Sequence, residues 1–309
     1  VSVNFGQLVD RCKQQLMGYT KNQDQFSWLN GMSGIGPADT TFTVDLSTVK
    51  NLSRGLAEID DELMFINNYD VNSGTVTIAA GTNGRGVFST TAASHAQNAL
   101  VTADPDFPRI RIKESINQTI LAVYPDLWVF AEYDFPKVAA RHEYDLPADA
   151  EQVYRVTADT IGPSRVWFPS QTWRFNPQPS LTSDSPNNSI TGKTLQIMDF
   201  IVPGRAIHVV YQKSPSQLVN NSDDFATVTG LLERQADVIM YGTVARMLQA
   251  YEPARLQQKS VESVQRAPLV PAGSASNAAQ FFWNLYYRRL QEEQEYMRTL
   301  YPEYTNFSS

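Results

Sequence analysis

The sequence predicts an α+β fold, a helical bundle into which two β-rich modules are inserted. Three observations predict it. Between Phe107 and Trp128, Ile112, Ile116, Ile120 and Val123 recur at steps of four, four and three, which lays one apolar stripe along a helix. Stretches rich in strand-forming residues flank that helix on both sides. Three further helix-like segments stand toward the two ends of the chain. None could bury its stripe alone, so they are expected to pack with the central helix.

Residues 1–34 are read as the N-terminal helices of the bundle, with the stripe Phe5, Leu8, Val9, Cys12, Leu16 and Tyr19, and Asn4 as N-cap. Phe26, Trp28 and Leu29 form a second apolar cluster, and the glycines from Gly31 to Gly36 break regular structure. Residues 35–104 are the first inserted β module. Its strands are expected at Thr41 to Val44, Leu56 to Asp60, Leu63 to Asn67 and Thr75 to Ala79, with a hairpin turn at Asp70 to Gly74. Residues 105–131 carry the central helix, started by Pro105 and Pro108 and ended at Pro125. The second β-rich module covers residues 132–215. Its aromatic strands hold Trp167, Phe168, Trp173 and Phe175, and Pro203-Gly204 joins its last strand pair. Residues 216–256 are a bundle helix capped by Asp223 or Asp224 and closed by Pro253. Residues 257–276 are a linker by composition, and residues 277–309 form the C-terminal helix and tail.

Composition narrows the function classes. The formal charge of −7 and the pI near 5.1 supply no basic field to draw in nucleic acid. Charged residues make up only 18% of the chain, and Asn, Gln, Ser and Thr take their place, as suits β-surfaces and subunit contacts. The single cysteine, Cys12, lies on a helical stripe and reads as a buried, inert thiol. No run is long and apolar enough to span a membrane and the first residues show no signal-peptide pattern, so a soluble protein with no membrane partner is expected.

No catalytic centre, cofactor site or metal site is recognisable. Gly81 to Gly86 reads GTNGRG, whose glycine spacing and following β-like residues do not fit a dinucleotide fingerprint, and it lacks a P-loop lysine. Glu58, Asp60, Asp61 and Glu62 are expected at a solvated strand edge or turn. His95, His142 and His208 have no metal-ligand spacing and read as surface or hydrogen-bonded histidines. Arg109 and Arg111 are expected on a solvated face or in subunit salt bridges.

Several segments, in order, carry a resemblance. They are Leu52 to Ile66 (LSRGLAEIDDELMFI), Gly84 to Val101 (GRGVFSTTAASHAQNALV), Arg111 to Trp128, Tyr144 to Val156, Pro203 to Tyr211 and Asn284 to Pro302. Together they resemble head-to-tail connector (adaptor) proteins of tailed bacteriophages, especially phages of actinobacteria. Val87-Phe88 departs from the pattern, where a tyrosine is expected. The resemblance implies a structural virion protein of the neck rather than an enzyme. It implies a dodecameric ring beneath the portal that extends the DNA channel, a core built as a helical bundle, assembly in the host cytoplasm and residence at the head–tail interface. The implied partners are the portal protein, neighbouring copies, the next neck or tail protein, and passing DNA without sequence-specific binding. No cofactor is implied.

By the same resemblance the C-terminal helix and tail meet the portal, with Phe282, Tyr286, Tyr301, Tyr304 and Phe307 as interface candidates, since aromatic residues dominate interface hot spots. Two alternatives stand beside this reading. A neck-associated cell-wall hydrolase would use Glu58 with Asp60 or Asp61. A carbohydrate-binding tail-tip or fibre protein would use the aromatic β stretch, although repeats and trimeric coiled coil are missing. Another ring component of the neck, such as a stopper, is set aside because a helical bundle is expected.

Overall fold

Three sheets, rather than a helical bundle, organise this chain. The computed structural model describes residues 2–17, 25–30, 34–49, 52–139, 141–160, 166–178, 191–262 and 274–301. Among them, thirteen strands form three antiparallel sheets and five α-helices accompany them. The chain divides into two compact units. One comprises Gly6–Gln118 with Ile239–Leu285; the other comprises Val1–Phe5, Thr119–Val238 and Tyr286–Ser309. Among the described residues, no helix is long and apolar enough to cross a membrane.

The first unit is organised by a six-stranded sheet. Its strands are β1 (Gln25–Trp28), β2 (Thr41–Thr43), β3 (Gly55–Ile59), β4 (Glu62–Asp70), β5 (Thr75–Ile78) and β6 (Leu100–Ala103), in spatial order β1-β6-β3-β4-β5-β2. The two edge strands approach each other at the Leu29–Val44 bridge, where Asn30 N–H donates to Thr43 O (2.8 Å) and Asp45 N–H to Trp28 O (2.9 Å). The sheet therefore curls on itself, which spares both edges from standing open. Every second residue points inward. Ala57 and Ile59 of β3, Met64 and Ile66 of β4, Val76 and Ile78 of β5 and Val101 of β6 fill the inside with Leu29, Phe42 and Val44. Helix α1 (Phe5–Met17) buries Leu8, Val9, Cys12 and Leu16 on one stripe, and burial pushes the Cys12 thiol pKa up.

The second unit is organised by two sheets around one core. The strands β7 (Val129–Pro136), β8 (Glu143–Asp145), β9 (Gln152–Asp159), β10 (Trp167–Pro169), β11 (Trp173–Asn176), β12 (Thr194–Ile197) and β13 (Ala206–Lys213) form a four-stranded sheet, β10-β9-β13-β7, and a three-stranded sheet, β11-β12-β8. Val153, Val156 and Ala158 of β9 with Ile207, Val209 and Tyr211 of β13 share a core with Leu195, Ile197 and Tyr144 from the other sheet. Phe135, Phe168, Trp173 and Phe175 pack against that core.

The expected helical bundle with inserted β modules is thus corrected. The helical stripes exist: Ile112, Ile116 and Ile120 of α2 (Arg109–Ala122), and Val123 just beyond it, are fully buried. The error lay in assuming that helices must bury their stripes on one another, whereas each β-rich stretch builds a closed apolar core of its own. Several elements differ from expectation for local reasons. The apolar cluster at Phe26 to Leu29 is an edge strand, and the central helix gives way to β7 at Val129. Residues 216–256 are interrupted. Asp224 caps the short α3 (Phe225–Thr229) by accepting from Thr227 N–H (2.9 Å), and Gly230, at φ 76°, ends it. Helix α4 (Ala236–Glu262) continues through Pro253, and α5 (Ser274–Leu300) begins inside the segment read as linker. Finally, β12 and β13 do not pair across Pro203-Gly204 but belong to different sheets.

Two glycines of the second unit separate backbone strain from steric overlap. A methyl group on Gly230 would overlap Val129 Cγ1, whereas one on Gly204, at φ 89°, would meet open space. Gly204→Ala should cost about 1 kcal/mol from its left-handed backbone alone. Gly230→Ala should cost about 2–4 kcal/mol, because overpacking adds to the same strain. Urea midpoints of the two variants check this, and equal losses would contradict it.

Candidate functional site

The most densely connected polar cluster lies in the first unit, where the β3–β4 hairpin turns at Asp60 and Asp61. Ile59 pairs with Glu62, and Asp60 takes a left-handed φ of 52°. Alternation then places Glu62 in the same inward row as Met64 and Ile66, so a carboxylate stands at the end of an apolar row. An isolated charge there is untenable, and the loop from Arg85 to His95 neutralises it.

Arg85 donates to Glu62 from Nε (2.5 Å, Oε1) and Nη2 (2.8 Å, Oε2) in a bidentate pair. Its remaining N–H groups reach Gly36 O (2.9 Å), Asp39 O (3.1 Å) and Ala93 O (2.7 Å), so all five donors are engaged. The backbone N–H groups of Gly86 (3.1 Å) and Ala93 (3.0 Å) also donate to Glu62. His95 sits between two carboxylates, with Nε2 2.8 Å from Glu62 and Nδ1 2.7 Å from Asp60. An ionised carboxylate only accepts, so a ring held between two of them is favoured in its doubly protonated imidazolium form. Burial alone would raise the Glu62 pKa, but Arg85, Ala93 N–H and His95 outweigh it and hold it at about 2. Burial works against the charged form of His95, yet Asp60 and Glu62 raise its pKa above the ordinary value. Gly34 lies against the same site: at φ 70° its Cα faces the His95 carbonyl oxygen, which any side chain would overlap.

The outer side of the hairpin meets the helices. Glu58 is buried and accepts from Lys13 Nζ (3.2 Å) and the Arg109 backbone N–H (2.5 Å), and burial still raises its pKa. Asp61 takes Arg109 Nε (3.1 Å) and Lys113 Nζ (2.8 Å), and Arg109 also pairs with Asp10. The acidic run does form the expected turn at Asp60 and Asp61, but the carboxylates that flank it are not solvated. Only Asp60 stands mainly in solvent, while Glu58 and Glu62 are interior charges with assigned cations. Arg109 accordingly serves an internal ion-pair network, whereas Arg111, among the described residues, pairs only with Glu114 on its own helix. Beside the hairpin an open cleft of about 370 Å³ is lined by Asp60, Asp61, Ser89, Thr90, Ser94 and His95.

The remaining expected residues are dispersed. His142 is exposed, and His208 contacts Asp134 (2.5 Å) and the Trp167 ring (5.5 Å between centroids). Among the described residues, no group of His, Cys, Asp and Glu is arranged to hold a metal ion. Of the interface candidates, Tyr286 is buried on the inner stripe of α5 with Leu290 and Met297. Phe282 is half-buried beside Tyr241, and Tyr301 packs edge-on against Phe130 (4.7 Å). Tyr304 and Phe307 lie outside the described residues. Sequence reasoning missed Phe88 and Phe200, the two most exposed phenylalanines among the described residues, at 66% and 96%. Hydropathy gives no signal for an apolar residue held outward.

The chain matches no protein-family model and no curated protein sequence.

Two stability measurements follow from the buried network. The folded Glu62 pKa is depressed from 4.5 to about 2, so its contribution is present above pH 4.5 and is lost as pH falls toward 2. That window should span about 3 kcal/mol. The His95 pKa is raised, so its contribution is full below pH 6.5 and fades as pH rises through the raised value. Urea titrations should therefore give maximal stability between these limits, and a flat profile from pH 7 to 3 would refute the assignment. At pH 7, Glu62→Gln should cost about 3–5 kcal/mol, because it strands Arg85 and His95. Glu58→Gln should cost only about 1 kcal/mol, since burial already disfavours that charge.

Proposed function

We propose that this chain is a structural virion protein of a tailed bacteriophage, a head-to-tail adaptor that assembles as a ring beneath the portal and extends the DNA channel. The observation that carries the proposal is the ordered set of adaptor-like segments from Leu52 to Pro302. The acidic balance supports it, because each Lys or Arg contact to phosphate would add affinity through counterion release and slow the passage of DNA. The candidate site supports a structural role as well. His95 has both nitrogens occupied and Arg85 all five donors, which suits a scaffold better than proton transfer. The helical bundle no longer argues for an adaptor over another neck ring; that preference rests on the segments alone.

The portal contact is better sought on the outer face of α5 than by removing the helix. Tyr286, Leu290, Glu293 and Met297 are buried, and Glu293 pairs with Arg234 (2.8 Å) and Arg289 (3.1 Å), so truncation would open the second unit. Phe281, Tyr287 and Leu300 are exposed on that helix. In cryo-EM of purified virions with symmetry expansion at the portal vertex, the chain should occupy a ring between portal and tail. It should be present in one copy per portal subunit or a simple multiple. Location at the distal tip, or absence from virions, would refute the proposal. A turbidity assay on cell-wall material should show no lysis, with wild-type protein or with Glu58→Gln.

A further inference from the structure

We infer that neighbouring copies join head to tail, with Phe200 of one copy seated in the groove beside Phe88 of the next. The knob belongs to the second unit. Asp199 accepts from Ser170 Oγ (2.6 Å), Gln171 N–H (2.7 Å), Thr172 N–H (3.2 Å) and the Thr172 hydroxyl, which ties the segment after β12 to the segment before β11. Ile201 is buried on the other side of Phe200. The phenyl ring between these two anchors is 96% exposed, with Met198 and Val202 exposed beside it. An aromatic side chain held outward from a tied loop forgoes its own burial, which is what an interface anchor requires.

The groove belongs to the first unit. It is open, about 530 Å³, and lined by Phe65, Ala79, Val87 and Phe88, with Arg54 beside them. Phe88 and Ser89 both take left-handed backbone, at φ 53° and 66°, although neither is glycine. Strain of that kind in a bulky exposed residue persists only where the surroundings enforce it, and it marks functional loops. The enforcement is visible: Gly86 N–H is bound by Glu62, Val87 N–H by Leu63 O (3.0 Å), and Thr90 Oγ1 donates to Val87 O (2.8 Å).

Charge complementarity supports this occupant. Arg54 makes no ion pair among the described residues, and Asp199 brings an anionic carboxylate next to the knob. Knob and groove are different patches of one chain, so their contact is heterologous and repeats from copy to copy, giving a ring if the rotation closes. Closure into a ring rests on the proposal of the preceding section; the contact itself does not.

Paired cysteines test it on the full chain. Met198 and Ser89 are exposed beside knob and groove, and Cys12 is buried and inert. Under mild oxidation, a mixture of Met198→Cys protein with Ser89→Cys protein should give a disulfide-linked heterodimer on non-reducing gels. Neither protein alone should do so. Adding Phe200→Ala to the first partner should lower the yield at least roughly tenfold. No mixed dimer, or equal linkage within each single variant, overturns the contact. The chain carrying both cysteines then separates the two ideas under native mass spectrometry. A ladder that stops at one closed size supports contact and ring together. An open-ended ladder keeps the contact and sinks the ring. A ring between portal and tail in virions without any mixed disulfide sinks the contact alone.

Discussion

One buried carboxylate sets the course of the first unit. Glu62 occupies an inward position in a row whose next members are Met64 and Ile66, so it must be neutralised or the strand must shift register. All of its partners, Arg85, Gly86, Ala93 and His95, come from one loop. That side chain gathers the loop at four points, and backbone bonds such as Val87 N–H to Leu63 O (3.0 Å) and His95 N–H to Ile35 O (2.9 Å) fix the rest of its path. With all five donors in use, Arg85 also fastens the segment at Gly36 and Asp39 to the same point. Such a network is expensive to leave half satisfied, which makes the local structure all-or-none.

The second unit uses the same device with less burial. Asp199 knots two segments by accepting from three consecutive residues, Ser170, Gln171 and Thr172. In both units the segment that the carboxylate ties carries a phenylalanine that points outward. Burying a phenylalanine is worth about 2–3 kcal/mol, so holding Phe88 and Phe200 in solvent is a standing cost that hydrogen-bonded loops must offset. Scattered exposed apolar residues need no explanation. Two that sit on loops fixed by buried or multiply bonded carboxylates are a different case, because ordinary loop relaxation could have turned them inward.

The sequence made the stripes legible and the architecture illegible. Ile112, Ile116, Ile120 and Val123 were readable because a period near 3.6 is a local property, and so was the hairpin turn at Asp70 to Gly74, where Gly74 N–H donates to Asp70 O (2.9 Å). Whether those stripes meet helices or sheets depends on residues far away in sequence, and β1 pairs with β6 across more than half of the first unit's leading segment. Short edge strands such as Gln25–Trp28 have too few residues to show alternation. The acidic run was readable as a cluster, and its division was readable in principle: Glu62, Met64 and Ile66 alternate, which puts the first of them inside. Arg85 and His95 as its partners were not, because nothing local links a loop cation to a carboxylate 23 residues earlier. Asp199 was hidden for the same reason, 29 residues from Ser170.

Loss of the helical bundle changes where the functional argument stands. A bundle would have presented helical grooves for a partner, with the C-terminal helix free to leave. The structure instead buries the inner stripe of α5 and pins Glu293 between Arg234 and Arg289, so that helix is a wall rather than a loose arm. The proposed assembly would then use surfaces that exist before partners meet, which favours tied loops over segments that fold on contact, since preformed anchors avoid the entropy of ordering. The proposed ring around DNA would add one further demand, that contacts be strong between copies and weak toward phosphate. Apolar knobs on an acidic chain would meet both, because burial between copies is insensitive to the negative charge that would keep such a channel from holding DNA.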